Sequence, residues 1–292
     1  MKIGLMPPFA SPIATPEFIS RSARAAEAAG FHSLWAPEHV VLFDEYASRY
    51  PYSDDGRVGV SGTGGVLDPF QALTFVAAVT STIRVGTGIV LVPQRNPVYT
   101  AKAVSTLDWL SGGRLDFGVG IGWLREEFEA LQVPWKDRAG RTADYLEVMR
   151  RLWTDEVSAF EGTHYTLRPA RQYPKPLQQP HPPIYFGGES DAALKRTAAI
   201  GQGWYGFNLD PESARERLSV LDGYLAENGR KRSDIRILVC PNRRRATPEM
   251  VEAFNELGVD EVIIIAGART PEDMERRIEG LATEIVEPAK KL

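Results

Sequence analysis

The sequence contains few residues whose types and spacing would let the chain catalyse a reaction with its own side chains. None of its histidines belongs to a close pair of the kind that binds zinc. The histidines are His32, His39, His164 and His181. The single cysteine, Cys240, excludes an internal disulfide framework and is either a buried thiol or a nucleophile. The pattern therefore favours chemistry that a bound cofactor supplies.

Two other short patterns are equally weak. Residues 59–63, GVSGT, depart from the G-x-S-x-G motif of serine hydrolases. Residues 243–245 are consecutive arginines, which suit either a phosphate clamp or a solvated loop. Neither pattern defines a reaction.

The elements that must position any site follow from apolar runs and helix start signals. Near-continuous apolar runs predict buried parallel strands. These strands cover residues 3–6, 33–37, 84–92, 115–120, 184–187, 204–207, 235–239 and 261–265. Between them, a capping residue followed by proline marks helix starts. The pairs are Thr15-Pro16, Asp68-Pro69, Asn96-Pro97, Asp210-Pro211, Thr247-Pro248 and Thr270-Pro271.

Eight strands alternating with helices predict one (β/α)8 TIM barrel that spans residues 1–292 as a single domain. The competing fold is an open doubly wound sheet. Its G-x-G-x-x-G fingerprint is not matched by the turn GVGIGW at 118–123, and no GxxxxGK[ST] phosphate loop occurs. We therefore favour the barrel.

Two stretches exceed a minimal barrel, at residues 43–67 and 154–183. Long segments without periodicity are usually functional lids or disordered. Because both are rich in aromatic residues, we expect ordered lids near the C-terminal rim, where barrel active sites lie.

The net charge is 34 − 38 = −4, which gives no reason to expect a nucleic acid or an anionic membrane as a partner. The N-terminal residues lack the features of a signal peptide. No uncharged stretch approaches the roughly 20 residues that cross a bilayer. We expect a cytoplasmic protein.

In a barrel, the residues that follow each strand form the rim of the site. Here they include Phe9, Glu38 with His39, Gly88 to Pro93, Gly120 to Trp123, Gly187 to Ser190, and Tyr205 to Asn208. This rim is aromatic and glycine-rich, so it suits a flat ligand that carries a phosphate. Glycines let the backbone approach the ligand, and the helix that starts at Ser190 can hold an anion.

Several stretches resemble the luciferase-like flavin and deazaflavin oxidoreductase superfamily. They are SLWAPEH at 33–39, RVGTGIVLVPQRNP at 84–97, LDWLSGGRLDFGVGIGWLREEFEALQVPW at 107–135 and PPIYFGGESDAALKRTAAIGQGW at 182–204. The loop YPYSDDG and the turn VPQRNP look most like the actinobacterial branch of coenzyme F420-dependent oxidoreductases. The resemblance covers residues 1 to about 207.

The resemblance implies a cofactor cleft at the C-terminal rim. It places Glu38 and His39 beside the cofactor ring as catalytic candidates, and it implies a non-prolyl cis peptide at Gly88-Ile89 against the ring face. The backbone positions implied around the cofactor chain and phosphate are Ile121, Gly122, Phe186, Gly187, Gly188 and Ser190. Trp123 stands where the family's sugar-phosphate dehydrogenase has an acidic catalytic residue, so a sugar phosphate is a doubtful substrate. We expect Phe9, Phe43, Trp123 and Tyr205 to line the substrate pocket.

Three functions remain open. The first is hydride transfer between F420 and an organic small molecule, with a proton from His39, Glu38 or a tyrosine of the 43–67 segment. The second is an FMN-dependent monooxygenase served by a partner reductase, and the third is a flavin-binding protein without turnover. Relatives are commonly dimers, so the helices over 101–110 and 143–153 either form a homodimer interface or simply cover the barrel.

Overall fold

The computed structural model describes residues 1–59, 64–242 and 244–292. Residues 60–63, within the predicted 43–67 insertion, and Arg243, within the arginine run, lie outside the described residues. The strands, in chain order, are β1 (Lys2–Met6), β2 (Ser33–Ala36), β3 (Arg84–Thr87), β4 (Val90–Leu91), β5 (Leu115–Gly120), β6 (Ser158–Glu161), β7 (Thr166–Ala170), β8 (Ile184–Gly187), β9 (Gly203–Phe207), β10 (Arg236–Cys240) and β11 (Glu261–Ile265).

The strands other than β6 and β7 form one closed parallel barrel, as predicted. Strand β1 pairs with β11 on one side and with β2 on the other. The ring closes where β3 pairs with β5, with Val85 opposite Leu115. The predicted third strand is interrupted between β3 and β4, and its Gly88–Ile89 peptide bond is cis, as the resemblance implied.

Helices separate the strands. They are α1 (Pro16–Ala28), α2 (Pro69–Val79), α3 (Pro97–Leu110), α4 (Arg125–Ala130), α5 (Arg138–Thr154), α6 (Asp191–Ile200), α7 (Pro211–Glu227), α8 (Pro248–Glu256), α9 (Pro271–Leu281) and α10 (Glu287–Ala289). Each of the six predicted cap–proline pairs starts a helix, with the side chain of the cap residue accepting a backbone N–H. A π-helical turn, Ala282–Val286, joins α9 to α10.

Large aromatic side chains fill the barrel interior, and glycines on the strands leave the room that they need. Trp35, Tyr185 and Tyr205 are buried there with Met6, Leu238, Cys240 and Ile263. A Cβ on Gly86 would overlap the Trp35 ring, and one on Gly203 would overlap the Tyr185 ring. The burial of Cys240 supports the reading of a structural thiol, and burial raises its pKa to about 12.

Residues 154–183 do not form a lid over the cleft, because none of them lines it. The segment contains the antiparallel hairpin β6–β7, which packs along α5, where the N–H of His164 donates to Asp144. Its last part reaches the N-terminal ends of the strands. There the Gln178 amide donates to the carbonyl of Leu115, the first residue of β5, and accepts from Arg84, the first residue of β3. The reason is connectivity, because the segment follows helix α5 rather than a strand, so no strand end delivers it to the cleft.

The described part of the 43–67 segment lies at the C-terminal rim, as expected. Glu126 of α4 accepts from the N–H groups of Ala47 and Ser48, and Ser48 accepts from the N–H of Arg125. The segment is therefore bound to the start of α4. Val66 forms an antiparallel bridge with Ala10.

Across the described residues, no helix is both long and apolar enough to cross a bilayer. The same residues contain no group of three or more side chains placed to hold a metal ion.

Glu27, near the end of α1, holds the turn that leads into β3. One oxygen of its carboxylate accepts from the N–H groups of Ser81, Thr82 and Ile83, at 2.6 to 3.0 Å. Burial opposes ionisation, but these hydrogen bonds outweigh it and lower the pKa of Glu27 from 4.5 to about 2. The ionised carboxylate thus stabilises the fold.

We predict that Glu27→Gln lowers the free energy of unfolding by about 1 kcal/mol at neutral pH, measured by urea denaturation. Because the folded pKa lies below the unfolded one, this contribution is complete above about pH 5 and is lost as the pH falls toward 2. The difference between wild type and variant should shrink over that interval. Glu216→Gln, at an exposed position of α7, is the control. If the stability difference between wild type and Glu27→Gln did not change with pH, the stabilising role of the Glu27 carboxylate would be contradicted.

Candidate active site

A cleft of about 530 Å³ opens at the C-terminal ends of the strands. Most residues that the sequence predicted for the site line this cleft. They are Glu38, His39, Gly88, Ile89, Ile121, Gly122, Trp123, Gly187, Gly188, Ser190 and Tyr205. Barrel closure brings these residues together from five different strand ends.

The floor of the cleft is the side chain of Ile89. It packs against Gly120 of β5 and Gly187 of β8. Because these two residues have no side chain, they leave the space that Ile89 occupies. A Cβ on Gly187 would come within 2.6 Å of Ile89 Cδ1, and a Cβ on Gly120 would overlap the same atom. The two glycines therefore determine how deep in the barrel the Ile89 side chain can lie.

The turn from β8 into α6 forms one end of the cleft. Gly188 has φ +104°, a conformation that L-residues rarely adopt, and the Trp204 indole N–H binds its carbonyl at 3.0 Å. The side chain of Ser190 caps α6 by accepting from the N–H of Ala193. The turn thus presents backbone and a helix N-terminus to the cleft, an arrangement that suits a phosphate.

Glu38 lines the cleft, but both of its oxygens are already engaged. One accepts from the guanidinium Nε of Arg95 at 2.6 Å, and the other accepts from the N–H of Leu91. Burial raises the pKa of this carboxyl, and Arg95 opposes the rise. Glu38 therefore joins the loop after β2 to β4, and we interpret it as a positioning residue.

His39 and the aromatic residues around Trp123 form one wall. The Trp123 ring meets the rings of His39 and Tyr50 edge to face, at centroid distances of 5.9 and 5.0 Å. Tyr46 contacts the same indole at 5.8 Å. The 43–67 segment thus supplies two tyrosines that cover the wall.

Tyr52 and Glu189 connect this segment to the opposite side of the cleft. The Tyr52 hydroxyl donates to Glu189 at 2.7 Å, and the other Glu189 oxygen accepts from the N–H of Phe207, also at 2.7 Å. The Tyr52 ring lies 4.9 Å from that of Phe207. Burial raises the pKa of both ionisable groups, so Tyr52 keeps its proton as a donor.

Three predicted residues do not line the cleft. Phe9 is buried in the layer between strands and helices, beside Phe18 and Leu34. Phe186 is buried in the same layer, because its neighbour Tyr185 points into the barrel and side chains alternate along a strand. Phe43 is half-buried outside the lining.

Three residues of the site were given no role from the sequence. Glu189 and Phe207 fall within the predicted rim stretches 187–190 and 205–208, whereas Glu127 was not named at all. Glu127 follows Glu126 on a short helix, where a pair of carboxylates usually marks a solvated face, so no signal separated it from the background. It is fully buried.

The cleft fits a flat cofactor that carries a phosphate. The apolar floor at Ile89 can support a ring, and the turn through Gly188 and Ser190 can hold an anion. Among the described residues, no lysine or arginine lines the cleft. Backbone groups, rather than cations, would therefore meet the phosphate.

Fold and cleft together define a (β/α)8-barrel protein with a ligand site at its C-terminal rim. Residues 1–244 match the family model described as luciferase-like monooxygenase, so the chain belongs to this family of oxidoreductases. This confirms the resemblance seen in the sequence.

Two proteins of similar sequence and one of similar fold can be compared with this chain. The uncharacterized protein Rv0953c of Mycobacterium tuberculosis is 32% identical, with 90% of this chain and 92% of that protein covered. The FMNH(2)-dependent dimethylsulfone monooxygenase of Pseudomonas putida is 27% identical, with 61% of this chain and 52% of that protein covered. The coenzyme F420-dependent tetrahydromethanopterin reductase of Methanopyrus kandleri shares the fold, with a TM-score of 0.75, 18% identity, and 98% and 99% of the two chains covered.

We predict that Gly120→Ala destabilises the protein by about 1–3 kcal/mol, because the new methyl group forces Ile89 out of its place. Chemical denaturation measures this change. Gly223→Ala is the control, since Gly223 lies within α7 with nothing close to the added methyl group. It should stabilise by up to about 1 kcal/mol. If Gly120→Ala stabilises the protein as Gly223→Ala does, the space at Gly120 is not needed for the packing of Ile89.

Proposed function

We propose that this protein is an F420-dependent oxidoreductase that transfers a hydride between the deazaflavin and an uncharged organic substrate. The observation that carries the proposal is the make-up of the cleft. It has an apolar floor at Ile89 and a glycine-rich turn at the start of α6, and its two carboxylates, Glu38 and Glu189, are already engaged. Such a site suits a reaction whose reactive group arrives with a cofactor.

The chain's own residues have distinct roles in this proposal. A bound deazaflavin supplies the ring that accepts or donates hydride. Ile89 supports the ring, and Gly188 and Ser190 hold the phosphate. His39 accepts or supplies a proton, and Trp123 with Tyr50 keeps water from the reacting atoms.

The cleft also favours a class of substrate. Because no lysine or arginine lines it among the described residues, a phosphorylated or acidic substrate would lack a counter-charge. Trp123, Tyr50 and Phe207 instead offer aromatic surface. We therefore propose a neutral substrate with a substantial apolar part.

An FMN-dependent monooxygenase, with reduced flavin from a partner reductase, is the second candidate. The observation that favours it is the identity shared with the dimethylsulfone monooxygenase, which uses FMNH(2). A barrel with the same floor and phosphate turn would accommodate either ring.

Titration of the purified protein decides between the two cofactors. We predict that F420 fluorescence reports saturable binding with a Kd of ~10 µM or tighter, and that reduced FMN binds at least about tenfold more weakly. Gly188→Ala should weaken binding about tenfold, whereas Gly229→Ala, which also has a positive φ (+67°) but lies away from the cleft, should not. The absence of F420 binding, or preference for reduced FMN, would overturn the proposal.

We also propose that the protein is a homodimer through α3. Tyr99 and Leu110 on this helix are 81% and 61% exposed, which is unusual for large apolar side chains. We predict a dimer in sedimentation velocity that Leu110→Glu converts to a monomer. A wild-type protein that sediments as a monomer would contradict this.

A further inference from the structure

Glu127 is an acidic residue with no exposed surface, and it lies directly behind His39. One carboxylate oxygen, Oε1, accepts from the N–H of Val40 at 2.7 Å. The other, Oε2, accepts from the side-chain amide of Gln94 at 3.0 Å. Nothing in the proposed roles of the cleft residues uses this carboxylate.

The same Oε1 atom lies 3.4 Å from Nδ1 of His39. Nδ1 is buried and makes no hydrogen bond of good geometry to any described residue, so the Glu127 carboxylate is the polar group placed to pair with it. Since His39 lines the cleft while Nδ1 faces Glu127, the opposite ring edge, which carries Nε2, is directed toward the cleft. The edge-to-face contact with Trp123 restricts rotation of the ring.

The charge of Glu127 decides which nitrogen of His39 carries the proton. Burial favours the neutral carboxyl, but the interaction with the nearby His39 ring and the hydrogen bonds from Gln94 and Val40 outweigh it, and the pKa of Glu127 lies below its usual value. Glu127 is therefore an anion. An unprotonated Nδ1 would direct a lone pair at this anion, whereas an N–H at Nδ1 donates to it.

We propose that Glu127 is a positioning residue that holds neutral His39 in the tautomer with the proton on Nδ1, so that Nε2 faces the cleft as a proton acceptor. The consequence for turnover rests on the proposed function. There, Nε2 takes up a proton from a ligand hydroxyl, so that an N–H bond forms as the O–H bond breaks. Glu127 then balances the positive charge on the imidazolium.

The proposal selects the ligand chemistry. A ligand that presents a hydroxyl or another hydrogen-bond donor to Nε2 is favoured, and one that presents only acceptors is not. Within the proposed function, this favours an alcohol as the form of the substrate that loses hydride.

The tautomer of His39 can be observed without any cofactor. In protein labelled with 15N at histidine, long-range 1H–15N spectra at about pH 8 distinguish a protonated from a bare ring nitrogen. His39→Gln assigns the signals. We expect the proton on Nδ1 in the wild type, and a proton on Nε2 would overturn the proposal.

Glu127→Gln removes the charge and should shift the tautomer ratio of His39 about tenfold toward the Nε2–H form. The variant should still fold. If the side-chain amide of Gln94 rotates by 180°, its unpartnered Oε1 can accept a hydrogen bond from the new amide N–H at position 127. Glu127→Asp keeps the charge and should retain the Nδ1–H tautomer. Asp144→Asn is the control, since that carboxylate accepts from the backbone N–H of His164 and is not a partner of His39.

An unchanged tautomer ratio in Glu127→Gln would overturn the proposal, because it would leave Glu127 with a structural role only. If Glu127→Gln does not fold, the wild-type and Glu127→Asp spectra still decide. If the proposed function holds, Glu127→Gln should also lower kcat about 100-fold with little change in KM. Failure to bind F420 would leave the tautomer result intact, so the two proposals fail separately.

Discussion

The rest of the structure depends on the limited space inside the barrel. Parallel strands in a closed ring direct side chains from every strand into one narrow core, which cannot hold a large residue at each position. The chain meets this constraint by placing glycines opposite large side chains. Gly86 leaves room for Trp35, and Gly203 leaves room for Tyr185. At the top of the barrel, Gly120 and Gly187 do the same for Ile89, so that packing of the core also builds the floor of the cleft.

Above this floor, buried glutamates hold the rim together. Glu38 binds the N–H of Leu91, Glu127 binds that of Val40, and Glu189 binds that of Phe207. Each carboxylate belongs to a different strand–helix unit from the backbone that it holds. Loops usually vary more than the elements they join, but these bonds fix three of them relative to one another. The same bonds engage the carboxylates, so in the proposed function proton exchange with a ligand falls to His39.

Sequence reasoning recovered the barrel because its signals are local. Apolar runs marked the strands, and cap–proline pairs such as Asp210-Pro211 marked helix starts that the fold retains. It failed where long-range geometry decides. The hairpin β6–β7 packs along α5 and does not line the cleft, because it follows a helix rather than a strand. Phe186 differs from its neighbour Tyr185 only in the face of the strand that it occupies. Glu127 looked like a solvated residue, since nothing in a single sequence shows that this position of a short helix is buried behind His39.

In the proposed function, the cleft above Ile89 receives the ring of a deazaflavin, with the phosphate at the turn that starts α6. A crystal structure of the protein soaked with F420 tests this most directly. We predict electron density for the ligand between Ile89 and Trp123, and for its phosphate beside Gly188 and Ser190. Ligand density elsewhere on the barrel, or a cleft that stays empty in saturating F420, would contradict it.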